Sequence, residues 1–288
     1  MARITLGLPL LAAAAIAGLL TAAAPAHQPV AHLEVKADAR LEPSPPGRGQ
    51  GEGSAADLTD NARQVASETK QAATVPVSDE EVLRGDPERP WVSLVINVGA
   101  GSEPALSMLD TLRDKRYSPT FFVMGWWAER RPDVLAAIAA AGHEIASHGH
   151  SVFDLTQVSD EAVVADLEGA EQVIAAVTGR TTRPLWSPSA GYRDARVRRV
   201  AADLGYRPII WTLDSGDWTR TATADSVYAR VMTRTGNGYI VVLHFDSPTT
   251  VHSTAVALPR IIDELRAAGY RLVNITELVT GELTVNGG

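Results

Sequence analysis

The chain contains no cysteine, so a disulfide framework, a thiolate metal site and a thiol nucleophile are all excluded. Basic side chains are in the minority, 26 against 34 acidic ones, and the formal net charge is −8. A surface of that sign does not suit a nucleic acid, whose phosphates recruit lysine and arginine. Aromatic residues make up only 6% of the chain, so where they cluster matters. No G-x-G-x-x-G follows the first strand-like run, which argues against a dinucleotide fold, and no segment recurs at a solenoid period.

Long apolar runs are also missing, with one exception at the start. Arg3 precedes an apolar stretch from Ile4 to Leu20, and Ala24-Pro25-Ala26 then leads into His27. This is the layout of a secretory signal over residues 1–26, predicting a secreted or cell-envelope protein. An uncleaved membrane anchor is the alternative, because the stretch from Ile4 to Ala24 approaches the length that spans a bilayer. Residues 27–78 are rich in Ala, Pro, Gly and Ser without periodicity and read as a flexible tether. Residues 79–288 are long enough for one well-buried domain.

Within that domain short apolar runs alternate with helix-period segments. Strands are predicted at 92–97, 119–124, 143–148, 184–187, 207–213, 239–245 and 271–275. Helices are predicted at 103–115, 131–141, 159–177, 194–204, 223–235 and 254–268, with Ser159 placed to cap the third of them. Seven strand–helix repeats imply an α/β fold, a distorted parallel (β/α) barrel, whose reactive groups collect where strands end.

The polar residues obey that expectation. His148 and His150 follow the third strand, Asp214, Asp217 and Trp218 the fifth, and His244 and Asp246 end the sixth, while Asn97 ends the first. Several ionisable groups on one rim are costly to bury unless they pair or bind something, which marks a cleft. Trp126, Trp218, Tyr192 and Arg193 are candidates for stacking on and hydrogen bonding to sugar rings. His148, His150, His244 and Asp246 carry donor atoms suited to a zinc-like divalent ion.

Thr120-Phe121-Phe122, then Gly142-His143-Glu144-Ile145 and His148, then Asp154-Leu155, together with WTLDSGDW and IVVLHFDS, resemble the NodB-homology polysaccharide deacetylases over about residues 82–280. The resemblance implies a metal hydrolase acting on acetylated polysaccharide or peptidoglycan. It also implies that Asp214, Asp217 and Trp218 wall the pocket, that Leu243 lines the acetyl pocket, and that His244 is the general acid.

The same resemblance exposes departures. Where the family's first motif reads T-F-D-D-G, Asn97 stands at the catalytic base and Val98 at the metal-binding aspartate. His148 keeps the first histidine of H-[ST]-x-x-H, but Val152 takes the second. The family's R-P-P-Y-G aligns with Trp186-Ser187-Pro188-Ser189-Ala190, which lacks the arginine. An amide cannot accept a proton from water and a valine cannot hold a cation. Three functions remain open: a binding protein for an acetylated glycan, an active deacetylase with a metal site rebuilt from His148, His150, His244 and Asp246, or a scaffold without ligand.

Overall fold

A computed structural model describes residues 74–284 of the chain. The signal segment and nearly all of the tether lie outside the described residues. The strands are β1 (Trp91–Val98), β2 (Thr120–Val123), β3 (Glu144–Ser147), β4 (Leu185–Trp186), β5 (Arg207–Pro208), β6 (Leu213–Asp214), β7 (Tyr239–His244) and β8 (Arg271–Leu272). They form one parallel sheet in the order β5-β4-β3-β2-β1-β7-β6, with β8 added beside β1. The longer helices are α1 (Ser107–Asp114), α2 (Gly125–Arg130), α3 (Pro132–Ala140), α4 (Asp160–Thr178), α5 (Ala195–Asp203), α6 (Ala224–Arg234), α7 (Thr254–Ala267) and α8 (Ile275–Thr280). This is the parallel (β/α) barrel that the repeat pattern predicts, left open between β5 and β6.

Because strand side chains alternate, β1 feeds two cores. Leu94 and Ile96 join Phe121, Leu135, Leu243 and Leu258 in the layer between sheet and helices. Val95 joins Phe122, Ala146, Leu185 and Val242 in a separate cluster. A strand buried on both faces must be apolar throughout, which is why β1 reads as a continuous run. Ser159 caps α4 as expected, its hydroxyl accepting from the Ala162 N–H, and Gly179 closes the helix in a left-handed conformation.

Three expectations need correction. The single strand predicted at 207–213 is two short strands, because the backbone between them pairs with an N-terminal strap instead of continuing the ladder. Val82 donates to the Pro208 carbonyl at 2.9 Å and accepts from the Ile210 N–H at 2.9 Å, and it bridges Ile209 in parallel. The core also takes in chain from before residue 79: Val75, like Val82, is buried in the cluster with Ile209 and Leu185. Residues 125–130 and 275–280, where no helix is predicted and where the last predicted strand runs to 275, are short helices. Their lengths, near one and a half turns, are too short for a periodic signal.

Candidate functional site

Asn97 and His244 are register partners on neighbouring strands, so β1 and β7 present them side by side at the strand ends. They line a pocket of about 590 Å³ together with Val98, Met124, Trp126, His148, Ser151, Phe153, Ser189, Ala190, Trp211, Asp214, Trp218 and Val242. That volume lies within the range of small-ligand sites. Apart from His244 and the single carboxylate of Asp214, the walls are neutral and largely aromatic or aliphatic.

His244 sits against a buried carboxylate. Its Nδ1–H donates to Asp217 at 2.7 Å, and its backbone N–H donates to the other oxygen of the same carboxylate at 2.8 Å. Thr254 adds an O–H donor at 2.6 Å. Burial works against the imidazolium, but the bond to Asp217 and the fields of Asp217, Asp214 and Asp246 prevail and raise the His244 pKa. Asp217 is fully buried behind the ring and faces no ligand, so it positions His244 and does not line the pocket. Asp214 does line it, accepting from the Gly216 N–H at 2.7 Å and from the Trp218 indole at 3.1 and 3.2 Å.

His148 is the opposite case. Burial pushes its pKa down to about 4, so the ring is neutral at pH 7. Its Nδ1 lies 2.7 Å from the Ser187 carbonyl, which can only accept. The proton therefore sits on Nδ1 and leaves Nε2 as a bare acceptor. This is the orientation of a metal-ligating imidazole, with a carbonyl fixing the tautomer.

The other donors do not join it. His150 turns away beneath α2, with Nδ1 buried and unpartnered where a side chain on Gly125 would collide with it, and Nε2 3.9 Å from Glu129. Asp246 is fully buried and already holds the N–H groups of Gly99, Ala100 and Gly101 at 3.0, 3.0 and 2.8 Å. Among the described residues no group of three histidine or carboxylate side chains is close enough to hold a metal. The donor set does not fit a divalent ion, and the rebuilt ligand set expected from the sequence is corrected accordingly.

Alternation corrects one further expectation. Leu243, expected at the acetyl pocket, packs in the outer layer, and Val242, one residue earlier, stands at the pocket wall on the same face as His244. The period of two in YIVVLH was the signal that identifies it. Trp186 is buried in the cluster that holds Leu167 and Tyr206, and Ser187 offers its backbone carbonyl to His148, so neither supplies the arginine that the resemblance implies.

Trp126 and Trp218 line the pocket as expected. Arg193 does not: its guanidinium is bound by the Glu81 carboxylate of the N-terminal strap at 2.9 Å and by the Gly191 carbonyl at 2.9 Å. Tyr192 lies outside the pocket lining, packed edge-on against Phe153. Sequence reasoning missed Met124, Phe153 and Trp211, which carry no family signature and reach the pocket only through the curl of the sheet.

Two predictions arise here. Asp246→Ala leaves three converging N–H groups without an acceptor and should lower the unfolding free energy by about 3 kcal/mol, with Asp246→Asn losing less. Urea unfolding measures both. The depressed His148 pKa means that the unfolded chain binds the proton more readily, so stability is intact above about pH 6.5 and is lost as pH falls toward 4. The loss is on the order of 3 kcal/mol from this residue. Unfolding midpoints between pH 7 and 4 should fall less steeply in His148→Gln, and an unchanged slope would refute the assignment.

The polysaccharide deacetylase family profile matches residues 84–209. YlxY of Bacillus subtilis, an uncharacterized protein, is 30% identical over 202 residues, covering 69% of this chain and 60% of YlxY, less than two thirds of that relative's length. A peptidoglycan-N-acetylglucosamine deacetylase of Bacillus cereus is 28% identical over 190 residues, covering 65% of this chain and 87% of that enzyme. A crystal structure of a Bacillus anthracis protein described as a CE4 family pseudoenzyme has a TM-score of 0.64 at 30% identity, covering 70% of this chain and 69% of that one. A mutant of the same pseudoenzyme is described as having restored enzymatic activity.

Proposed function

The chain belongs to the polysaccharide deacetylase family, and from that premise we propose that it is a secreted or cell-envelope protein that binds an acetylated glycan, such as peptidoglycan, without the family's metal-dependent cleavage. One observation carries the reading. The sugar-facing wall of His244, Asp214 and Trp218 is kept, whereas the metal-facing wall offers His148 Nε2 alone, beside Asn97 and Val98. Hydrolysis of an acetamide requires a polarised carbonyl and a base for water. Neither Asn97 nor Val98 supplies one. The pocket can still hold the acetyl group: Val98, Met124 and Val242 offer an apolar contact for its methyl, and the raised His244 a donor for its carbonyl. The resemblance to a pseudoenzyme of the same fold supports the reading.

A second reading, an active deacetylase, rests on the intact His244–Asp217 pair. One experiment separates them. The full chain, treated with chelator and dialysed, is titrated with N-acetylglucosamine oligomers and assayed for acetate release. Binding unaffected by chelator and no acetate is the expected result. Chelator-sensitive acetate release with a stoichiometric metal would overturn it.

A further inference from the structure

Three large aromatic side chains stand in solvent around the pocket mouth: Phe153 at 62%, Trp218 at 54% and Tyr192 at 43% exposure. Exposed rings gathered at one site mark a binding surface more often than chance exposure does. They come from two separate places. Phe153 and Tyr192 follow β3 and β4, which are neighbours in the sheet, while Trp218 follows β6 at the far end of the strand order. Phe153 and Trp218 both line the pocket; Tyr192 continues outward from Phe153 beyond its lining.

Each platform is fixed in place. Trp218 is held by its indole bonds to Asp214. Phe153 and Tyr192 brace each other edge-to-face, with centroids 5.3 Å apart and planes at 65°. The loop carrying Tyr192 is pinned by Arg193, which bonds Gly191 behind it and Glu81 of the strap, while Glu81 also pairs with Arg198. The hydrogen bond from Arg193 holds the Glu81 carboxyl below its usual range against the opposing effect of burial. A pinned ring loses little freedom when a ligand stacks on it.

We propose that Phe153 and Tyr192 form a saccharide subsite separate from the central pocket, so that the protein engages a chain of neutral acetylated sugars and not a single residue. The inference rests on the glycan-binding reading and adds direction to it: the chain leaves the pocket over Phe153 toward Tyr192. Rings around a pocket whose lining holds no lysine or arginine suit the C–H face of an uncharged pyranose, not a phosphate or sulfate. Glu81 is a positioning residue, acting through Arg193 on the loop that carries Tyr192.

The test is calorimetric titration of the full chain with N-acetylglucosamine oligomers of increasing length, from the monosaccharide upward. Affinity should rise about tenfold from the monosaccharide to chains that reach the outer rings, a gain of about 1.4 kcal/mol. Tyr192→Ala should bring the long-to-short affinity ratio close to one, Tyr192→Phe should keep it, and Glu81→Gln should lower it in part. Equal affinity at every length in the wild type, or a ratio unchanged in Tyr192→Ala, overturns the subsite and leaves the glycan reading standing. No binding at any length overturns that reading and the subsite with it.

Discussion

Changing Asn97 to Asp, Val98 to Asp and Val152 to His together should bring the metal content of the dialysed protein from none to near one equivalent of zinc or cobalt. The same variant should release acetate from an acetylated glycan in a chelator-sensitive way, on the order of a thousandfold above the wild type. The reasoning is local. His148 is already neutral, with Nδ1 tied to the Ser187 carbonyl and Nε2 bare, so one ligand is set before any substitution. Asn97 and Val98 already line the pocket beside it.

Val152 is the demanding position. Its side chain packs against the cluster that contains Leu155 and Trp186, and the loop backbone is held by Asp166, which accepts from His150, Ser151 and Val152 at 2.8 Å each. Asn97→Asp with Val98→Asp alone should therefore bind metal weakly, and the third substitution should tighten it only as far as the loop can turn. A triple variant without stoichiometric metal, measured by elemental analysis, would show that the loop and not the ligand inventory sets the loss. The restored activity described for a mutant of the Bacillus anthracis pseudoenzyme is a precedent in a relative.

The second large effect is on folding. Asp217→Ala should destabilise the protein by about 3–5 kcal/mol, because it leaves the His244 ring Nδ1–H, the His244 backbone N–H and the Thr254 hydroxyl without their shared acceptor and removes the charge partner of the protonated ring. Asp217→Asn keeps an acceptor and should cost less. The pH dependence has a definite sign. A raised His244 pKa means that the pair stabilises the fold below about pH 6.5 and that this contribution fades as pH climbs through the folded value. Urea unfolding at pH 6 and pH 9 should therefore show a larger gap between wild type and Asp217→Ala at the lower pH. An equal gap at both would remove the ionic part of the argument. His244 titration followed by NMR should move downward in Asp217→Asn.

The four chemistry-bearing substitutions were legible without coordinates because each is a change of residue type at a position with a neighbouring landmark. Asn97 and Val98 precede Gly99 at a strand end, Val152 lies four residues after His148, and Trp186-Ser187-Pro188 carries no arginine. The His244–Asp217 pair was equally legible in LHFD and DSGDW. Donor atoms, in contrast, were legible as types and not as directions. His150 and Asp246 have the chemistry of ligands, yet one ring lies under α2 and the other carboxylate is consumed by three amides.

Residue identity and the periods of two and 3.6 along the chain are enough to read the family, the parallel barrel, and the amide and valines at positions 97, 98 and 152, since none of these needs a contact between distant residues. Tertiary structure decided which survivors share a pocket. It turned Val242 inward and Leu243 outward, used Arg193 to lock a loop, brought Glu81 across from the strap, and assembled Phe153, Tyr192 and Trp218 around one mouth. Those outcomes depend on contacts between residues far apart in the chain, where side-chain direction and competing backbone donors, absent from any local pattern, set which group meets which.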